Sequence, residues 1–218
     1  MLESARTLRR ETRFLTELRA LPPRVALFQW RAWRLARRLE DDFSPVSRTG
    51  VRKLTVLLDA ARGCRRVVEL GTGTAWTTIS LVLADRGRVV QSYDPIERPE
   101  REQYLQLAGL EARRRLTLVS ASGDEGPRDS GKVELLYIDS EHARDSTIKE
   151  VEAWRPALGE GSIVVFDDFG HPDYPGVKEA VNYLKLAGEE RHGLFVHRVT
   201  PDALQNTSLP TTLSRDDS

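Results

Sequence analysis

The chain has a single cysteine, Cys64, and that scarcity rules out an internal disulfide and any cluster of cysteines around a metal. Its place just ahead of an apolar strand reads as a small core residue rather than a nucleophile. Long apolar runs are missing as well. No stretch approaches the roughly 18 to 20 residues needed to span a bilayer, and the start has neither the apolar region nor the small-residue cleavage site of a signal peptide. The expected location is the cytoplasm. Net charge is absent too: 33 Lys and Arg stand against 33 Asp and Glu, interspersed through most of the chain, so no global field points to nucleic acid or an acidic partner. There is no internal repeat.

What remains fits one domain, because 218 residues can bury a substantial core. From Pro22 to Leu39, the residues Val25, Phe28, Ala32, Leu35, Ala36 and Leu39 share one helical stripe, with Arg31, Arg34, Arg37 and Arg38 largely off it. This cationic helix could act as a lid, a contact between copies in a homo-oligomer or a membrane-surface anchor. The plainer reading packs it on the domain with its arginines solvated. Trp30, off the stripe, is the residue that most needs an explanation. Residues 49–61 read as a second helix leading into the core.

From residue 65 short apolar runs alternate with amphipathic stretches, the pattern of repeated βα units. The spacing predicts strands at 66–70, 89–93, 116–120, 133–138, 162–166 and 194–199, and helices near 75–85, 99–113, 144–155 and 175–187. The fold class is therefore α/β: a doubly wound, mostly parallel, Rossmann-like sheet with helices on both faces and an N-terminal helical extension. The expected division is 1–46 for the extension, 47–200 for the ligand-binding domain and 201–218 for a polar, loosely ordered tail.

Three constellations carry chemistry. In V-V-E-L-G-T-G-T-A-W-T-T, residues 67–78, a buried strand ends in a glycine-rich turn that opens a helix, and Gly71 and Gly73 let backbone approach a ligand closely. Dinucleotide-binding turns use the same device. Glu69 discriminates, since an acid there would repel a pyrophosphate but could accept from a cationic amino group, directly or through water. Asp94 follows the next strand at about the spacing from which an acid reaches ribose hydroxyls, or else it caps a turn before Pro95.

The third constellation pairs Y-I-D-S-E-H at 137–142 with V-V-F-D-D-F at 164–169. Both strands should deliver their carboxylates, Asp139, Asp167 and Asp168, to the crevice at the strand ends. Three such groups repel one another unless a cation keeps them ionised. Mg²⁺ or another hard divalent ion would do so and could also bind an acceptor oxygen; alternatively, one or two of them cap helices. His142 lies three residues past Asp139 and could serve as a general base or be a solvent-exposed loop residue. The turn-rich loop at 169–177 adds His171, Asp173 and Tyr174 as candidates for an acceptor pocket.

These residues resemble class I S-adenosylmethionine-dependent methyltransferases, particularly the metal-dependent catechol and caffeoyl-CoA O-methyltransferase type and the related methyltransferase family 24, over residues 47–199. E-L-G-T-G-T-A-W-T-T is similar to that group's E-L-G-x-x-x-G-Y-S, with Ala75 for the last glycine, Trp76 for tyrosine and Thr77 for serine. The resemblance implies cofactor contacts from Glu69, Gly71, Thr72 and Thr77, ribose binding by Asp94, an adenine-side contact from Ser122, and metal ligation by Asp139, Asp167 and Asp168, with Asp139 beside the cofactor as well. A lysine acts as base in the catechol type where this chain has His142. An asparagine is common where it has Asp168, so the site gains a negative charge. The fold normally closes with an antiparallel strand pair, but only L-F-V-H-R-V is clear here, and its partner is expected to be very short or absent.

The function expected is methyl transfer from S-adenosylmethionine to the hydroxyl of a small acceptor, metal-assisted, with His142 taking the proton. Three alternatives stay open. A metal-free enzyme of the same fold would ignore chelators. A nicotinamide-dependent oxidoreductase would bind NAD, against the missing third glycine and Glu69. A non-catalytic module would use its cationic N-terminal helix on a membrane or a partner, with salt-sensitive liposome binding and no cofactor affinity as its mark.

Overall fold

Strand β1 (Arg66–Leu70) sits at the centre of the sheet, and its sequence R-V-V-E-L explains why: Val67, Val68, Glu69 and Leu70 are all buried, as a strand covered on both faces requires. A computed structural model of the chain describes residues 13–201; the start of the helical extension and the expected loose tail from residue 202 lie outside the described residues. Around β1 run β2 (Val89–Tyr93), β3 (Leu116–Val119), β4 (Val133–Ile138), β5 (Leu158–Phe166), β6 (Gly188–Arg191) and β7 (Leu194–Arg198). The order across the sheet is β3-β2-β1-β4-β5-β7-β6. The first five strands pair in parallel, and β7 is antiparallel to both β5 and β6. The chain order reverses between β1 and β4, so the crevice opens beyond the ends of those two strands.

Helices α1 (Pro23–Leu39), α2 (Val51–Ala60), α3 (Trp76–Ala84), α4 (Arg101–Ala108), α5 (Arg144–Trp154) and α6 (Pro175–Tyr183) divide between the two faces. The side chains of β4 and β5 alternate accordingly. Leu135, Tyr137, Ile163 and Val165 join the core under α1, α2 and α3, while Leu136, Ile138, Val164 and Phe166 join the core under α5 and α6. The fold is doubly wound as expected.

Helix α1 buries Val25, Phe28, Gln29, Ala32 and Ala36. Its Gln29 Nε2 donates to Ser80 Oγ of α3 at 3.0 Å, and full burial of Phe28 alone is worth about 2 to 3 kcal/mol. The helix thus belongs to the domain core, with Arg31, Arg34, Arg37 and Arg38 exposed. Trp30 is half-buried against that core, and the Arg34 guanidinium lies 4.8 Å from its ring centroid, so packing and a cation–π contact account for it. No helix among the described residues is long and apolar enough to cross a membrane.

Departures from the expected boundaries have local causes. The helix expected at 99–113 breaks at Gly109, whose φ of +80° interrupts it before the single turn Leu110–Arg113. β5 begins at Leu158 rather than 162, through pairing with Val133 and a register shift between Val133 and Leu135. β6 is the closing strand expected to be very short or absent; it has four residues, G-E-E-R, all exposed, so it lacks any apolar alternation. Cys64 is buried, and burial pushes its thiol up. A thiol reagent is expected to label it at least about tenfold faster in urea than in the folded protein; equal rates would mean that the thiol is open to solvent.

Candidate active site

The loop from β1 into α3 folds tightly over the end of β4. A Cβ added to Gly71, at φ +97°, would lie 1.9 Å from the Asp139 carbonyl oxygen, so this position demands glycine because backbone crosses backbone. Ala75 takes up a left-handed conformation, φ +68°, at the N-cap of α3. That is the place of the resembling pattern's last glycine, and an alanine there accepts a cost of roughly 1 kcal/mol.

Below this turn lies Glu69, fully buried. Its Oε2 accepts from Ser92 Oγ at 2.6 Å and from Thr78 Oγ1, whereas Oε1 is buried with no hydrogen-bond partner among the described residues. Burial raises its carboxyl to about 8, against the opposing hydrogen bonds of Ser92 and Thr78 and with help from the charges of Asp139 and Asp94. Glu69 does not line the crevice itself; it stands behind the turn that does.

The crevice is a cavity of about 1190 Å³, and Gly71, Thr72, Gly73, Thr77, Asp94, Ser122, Asp139, His142, Asp167 and Asp168 all line it. The structure therefore brings together the residues named from the sequence except Glu69 and Asp173. Asp94, at the end of β2, accepts from Gly73 N at 2.8 Å and from Ile96 N at 2.8 Å. Arg101, which sequence reasoning missed, donates to Asp94 Oδ2 at 3.1 Å and to the Gly73 carbonyl at 2.8 Å, tying the glycine turn to the acid. Ser122 caps the turn Gly123–Glu125. Thr72 bonds to Ser92 at 2.7 Å.

A second polar chain runs under the crevice. Thr77 Oγ1 lies 2.8 Å from Thr49 Oγ1, Thr49 Oγ1 lies 3.0 Å from the Tyr137 hydroxyl, and that hydroxyl donates to Asp139 Oδ2 at 3.1 Å. Burial and the nearby Asp139 and Asp167 hold the Tyr137 phenol well above its usual range, so it stays a donor to Asp139.

At the other end, His142 Nε2 lies 3.4 Å from Asp139 Oδ1 and 3.7 Å from Asp168 Oδ2, facing both carboxylates without an aligned hydrogen bond to either. Burial alone would lower the imidazole, but Asp139, Asp168 and Asp167 together raise it above the ordinary value. Its ring packs 4.7 Å from Tyr174, which in turn lies 5.1 Å from His171. Asp173 is exposed and outside the lining. Both His142 (φ +62°) and Asp168 (φ +51°) are left-handed non-glycine residues, a strain that concentrates at functional sites.

The cation beside the carboxylates is a side chain. Lys53 of α2 places Nζ 2.7 Å from Asp167 Oδ1 and in contact with Asp168 Oδ1. Burial works against this ammonium, yet the two carboxylates raise it above the ordinary lysine value. Burial and Asp139 in turn raise Asp167, which Lys53 opposes. Among the described residues, the side chains close enough to share an ion are Asp139, His142 and Asp167, with Asp168 outside the set. A mixed nitrogen and oxygen set next to an ammonium does not fit the all-carboxylate Mg²⁺ site expected. The requirement for a cation was legible; that α2 supplies one was not.

Residues 68–169 match the model of a family described as a methyltransferase domain, the stretch that carries every lining residue named above except those of α2, His171 and Tyr174. Among solved structures, the TDP-rhamnose 3'-O-methyltransferase of calicheamicin biosynthesis is similar at 18% identity, covering 83% of this chain and 97% of its own, with a TM-score of 0.55. TomG, an O-methyltransferase of tomaymycin synthesis from Streptomyces achromogenes solved with S-adenosylmethionine, is similar at 17% identity, covering 82% and 90%, with a TM-score of 0.55. No curated protein sequence matches the chain. The glycine turn and the acid after β2 both fall within the stretch that matches the methyltransferase domain family, and the chain shares its fold with these solved O-methyltransferases.

Proposed function

We propose that the chain methylates a hydroxyl oxygen of a small hydroxylated metabolite or sugar, with His142 as the base. The observation that carries this reading is the buried, unaligned Nε2 of His142 on the crevice wall between two carboxylates, a base held ready for a proton that the protein itself does not supply. The O-methyltransferases among the structural neighbours support the choice of oxygen.

The residues fit the donor. The orphaned Oε1 of Glu69 would accept from its amino group directly or through water, Asp94 would take the ribose hydroxyls, Ser122 would lie on the adenine side, and Thr72 and Thr77 would line the remainder. When bound, S-adenosylmethionine supplies a methyl group on a positively charged sulfur. His142 Nε2 takes the acceptor's hydroxyl proton as the oxygen forms its bond to the methyl carbon. The bound donor would keep the carbon–sulfur bonding pair and leave as a neutral thioether, so charge and atoms balance. Asp139 and Asp168 hold the resulting imidazolium until it loses the proton to water. Positioning supplies much of the rate.

The grouping of Asp139, His142 and Asp167 favours one second reading, in which a divalent ion takes part. Calorimetric titration with S-adenosylmethionine, S-adenosylhomocysteine and NAD, each with Mg²⁺ and with chelator, tests both. Binding of the sulfur compounds alone is expected, unchanged by chelator. Binding of NAD alone, or of none of them, would overturn the cofactor assignment.

A further inference from the structure

We propose that Lys53 takes the place of the divalent ion, its ammonium being the fixed positive charge against which the acceptor oxygen is seated. The inference rests on the methyl transfer proposed above and names the cation of that same site. Lys53 lines the cavity together with Asp167 and Asp168, and its side chain is the most exposed of the three, 23% against 7% for Asp167 and 18% for Asp168. An ammonium carries three N–H donors. Two go to Asp167 and Asp168, and among the described residues no hydrogen bond takes the third. That donor and His142 border the same cavity, one able to stabilise an oxygen that is losing its proton and the other able to remove the proton.

Two features weigh against a metal here. Lys53 already holds one Asp167 oxygen, Oδ1, at 2.7 Å, and two cations in one partly buried site repel each other strongly. Lysine is held in place from the outside as well: a Cβ at Gly193, in the turn between β6 and β7, would come within 3.3 Å of Lys53 Cε. The strand pair that closes the sheet therefore packs its turn against the lysine stem. The ammonium is anchored by fold as well as by charge.

The test titrates Mn²⁺ into the wild-type chain and into Lys53→Met and Lys53→Gln, reading bound ion by electron paramagnetic resonance and S-adenosylmethionine affinity by calorimetry on the same samples. Wild type is expected to take up no Mn²⁺ at this site up to about 1 mM. The variants, with the ammonium gone and the carboxylates left, should gain one site at least tenfold tighter than any in wild type, with S-adenosylmethionine affinity within threefold of the wild-type value. Tight, stoichiometric Mn²⁺ binding by wild type would overturn the inference, as would folded variants, shown by unchanged circular dichroism, that bind no better than wild type. Loss of S-adenosylmethionine binding in wild type would instead count against the methyltransferase reading, so the two failures are distinguishable.

Discussion

Replacing His142 by glutamine is expected to lower kcat by roughly 10²- to 10⁴-fold, the usual worth of a positioned general base, with S-adenosylmethionine affinity little changed. Glutamine keeps a polar group of similar length facing Asp139 and Asp168 but cannot take a proton. The pH profile supplies an independent readout. A base must be neutral to act, and the carboxylates around His142 raise it above its ordinary value despite burial. The wild-type kcat/KM should therefore rise with pH through a midpoint above about 6.5, and this limb should vanish in the variant. Steady-state rates with any acceptor that supports turnover decide the matter. A variant as fast as wild type, or one that keeps the limb, would place the base elsewhere.

How much of this site could be read from the sequence follows from what each residue's neighbours are. Asp94, Asp139, Asp167 and Asp168 were legible because each ends an apolar run, and in a parallel sheet those ends share one edge. Lys53 was not, since it comes from a helix 114 residues before its partner Asp167 and looks like any solvated lysine on an amphipathic helix. The imbalance of three carboxylates pointed to a cation, and a side chain satisfies that demand as well as an ion does. Thr49 and Tyr137 were hidden for a related reason: a hydroxyl under a sheet edge leaves no pattern until its partner's position is known.

The fold divides along similar lines. Strands β1, β4 and the end of β5 announce themselves as buried apolar runs, whereas β6 owes its existence to its pairing with β7 and has no buried residue. The cationic helix α1 could be read as amphipathic, but which partner covered its stripe depended on α3 being adjacent. Gln29 bonding to Ser80 is a contact across 51 positions that no local window contains.

Glu69→Gln is expected to weaken S-adenosylmethionine binding by about 10- to 100-fold, the cost of replacing a charge-assisted hydrogen bond with a neutral one at a buried site, while making the free protein more stable in mild alkali. Strand parity explains both effects. Glu69 shares a face with Val67, which belongs to the core under α3, and so its carboxyl stands behind the glycine turn with one oxygen unsatisfied. Its folded value of about 8 lies above the ordinary 4.5, so between those two pH values the folded chain holds more protons here than the unfolded chain. Stability from this group is fully present below about 4.5 and falls as pH rises through about 8; glutamine, which does not titrate, removes that part of the slope. A bound cationic amino group favours the ionised carboxylate, so cofactor binding at pH 7 should expel a proton from Glu69 in wild type and not in the variant. Calorimetry in two buffers of different ionisation enthalpy counts that proton, and urea unfolding at pH 6 and pH 8 measures the slope. A variant that binds the cofactor as wild type does and releases the same proton would show that the amino group is held by other residues lining the crevice.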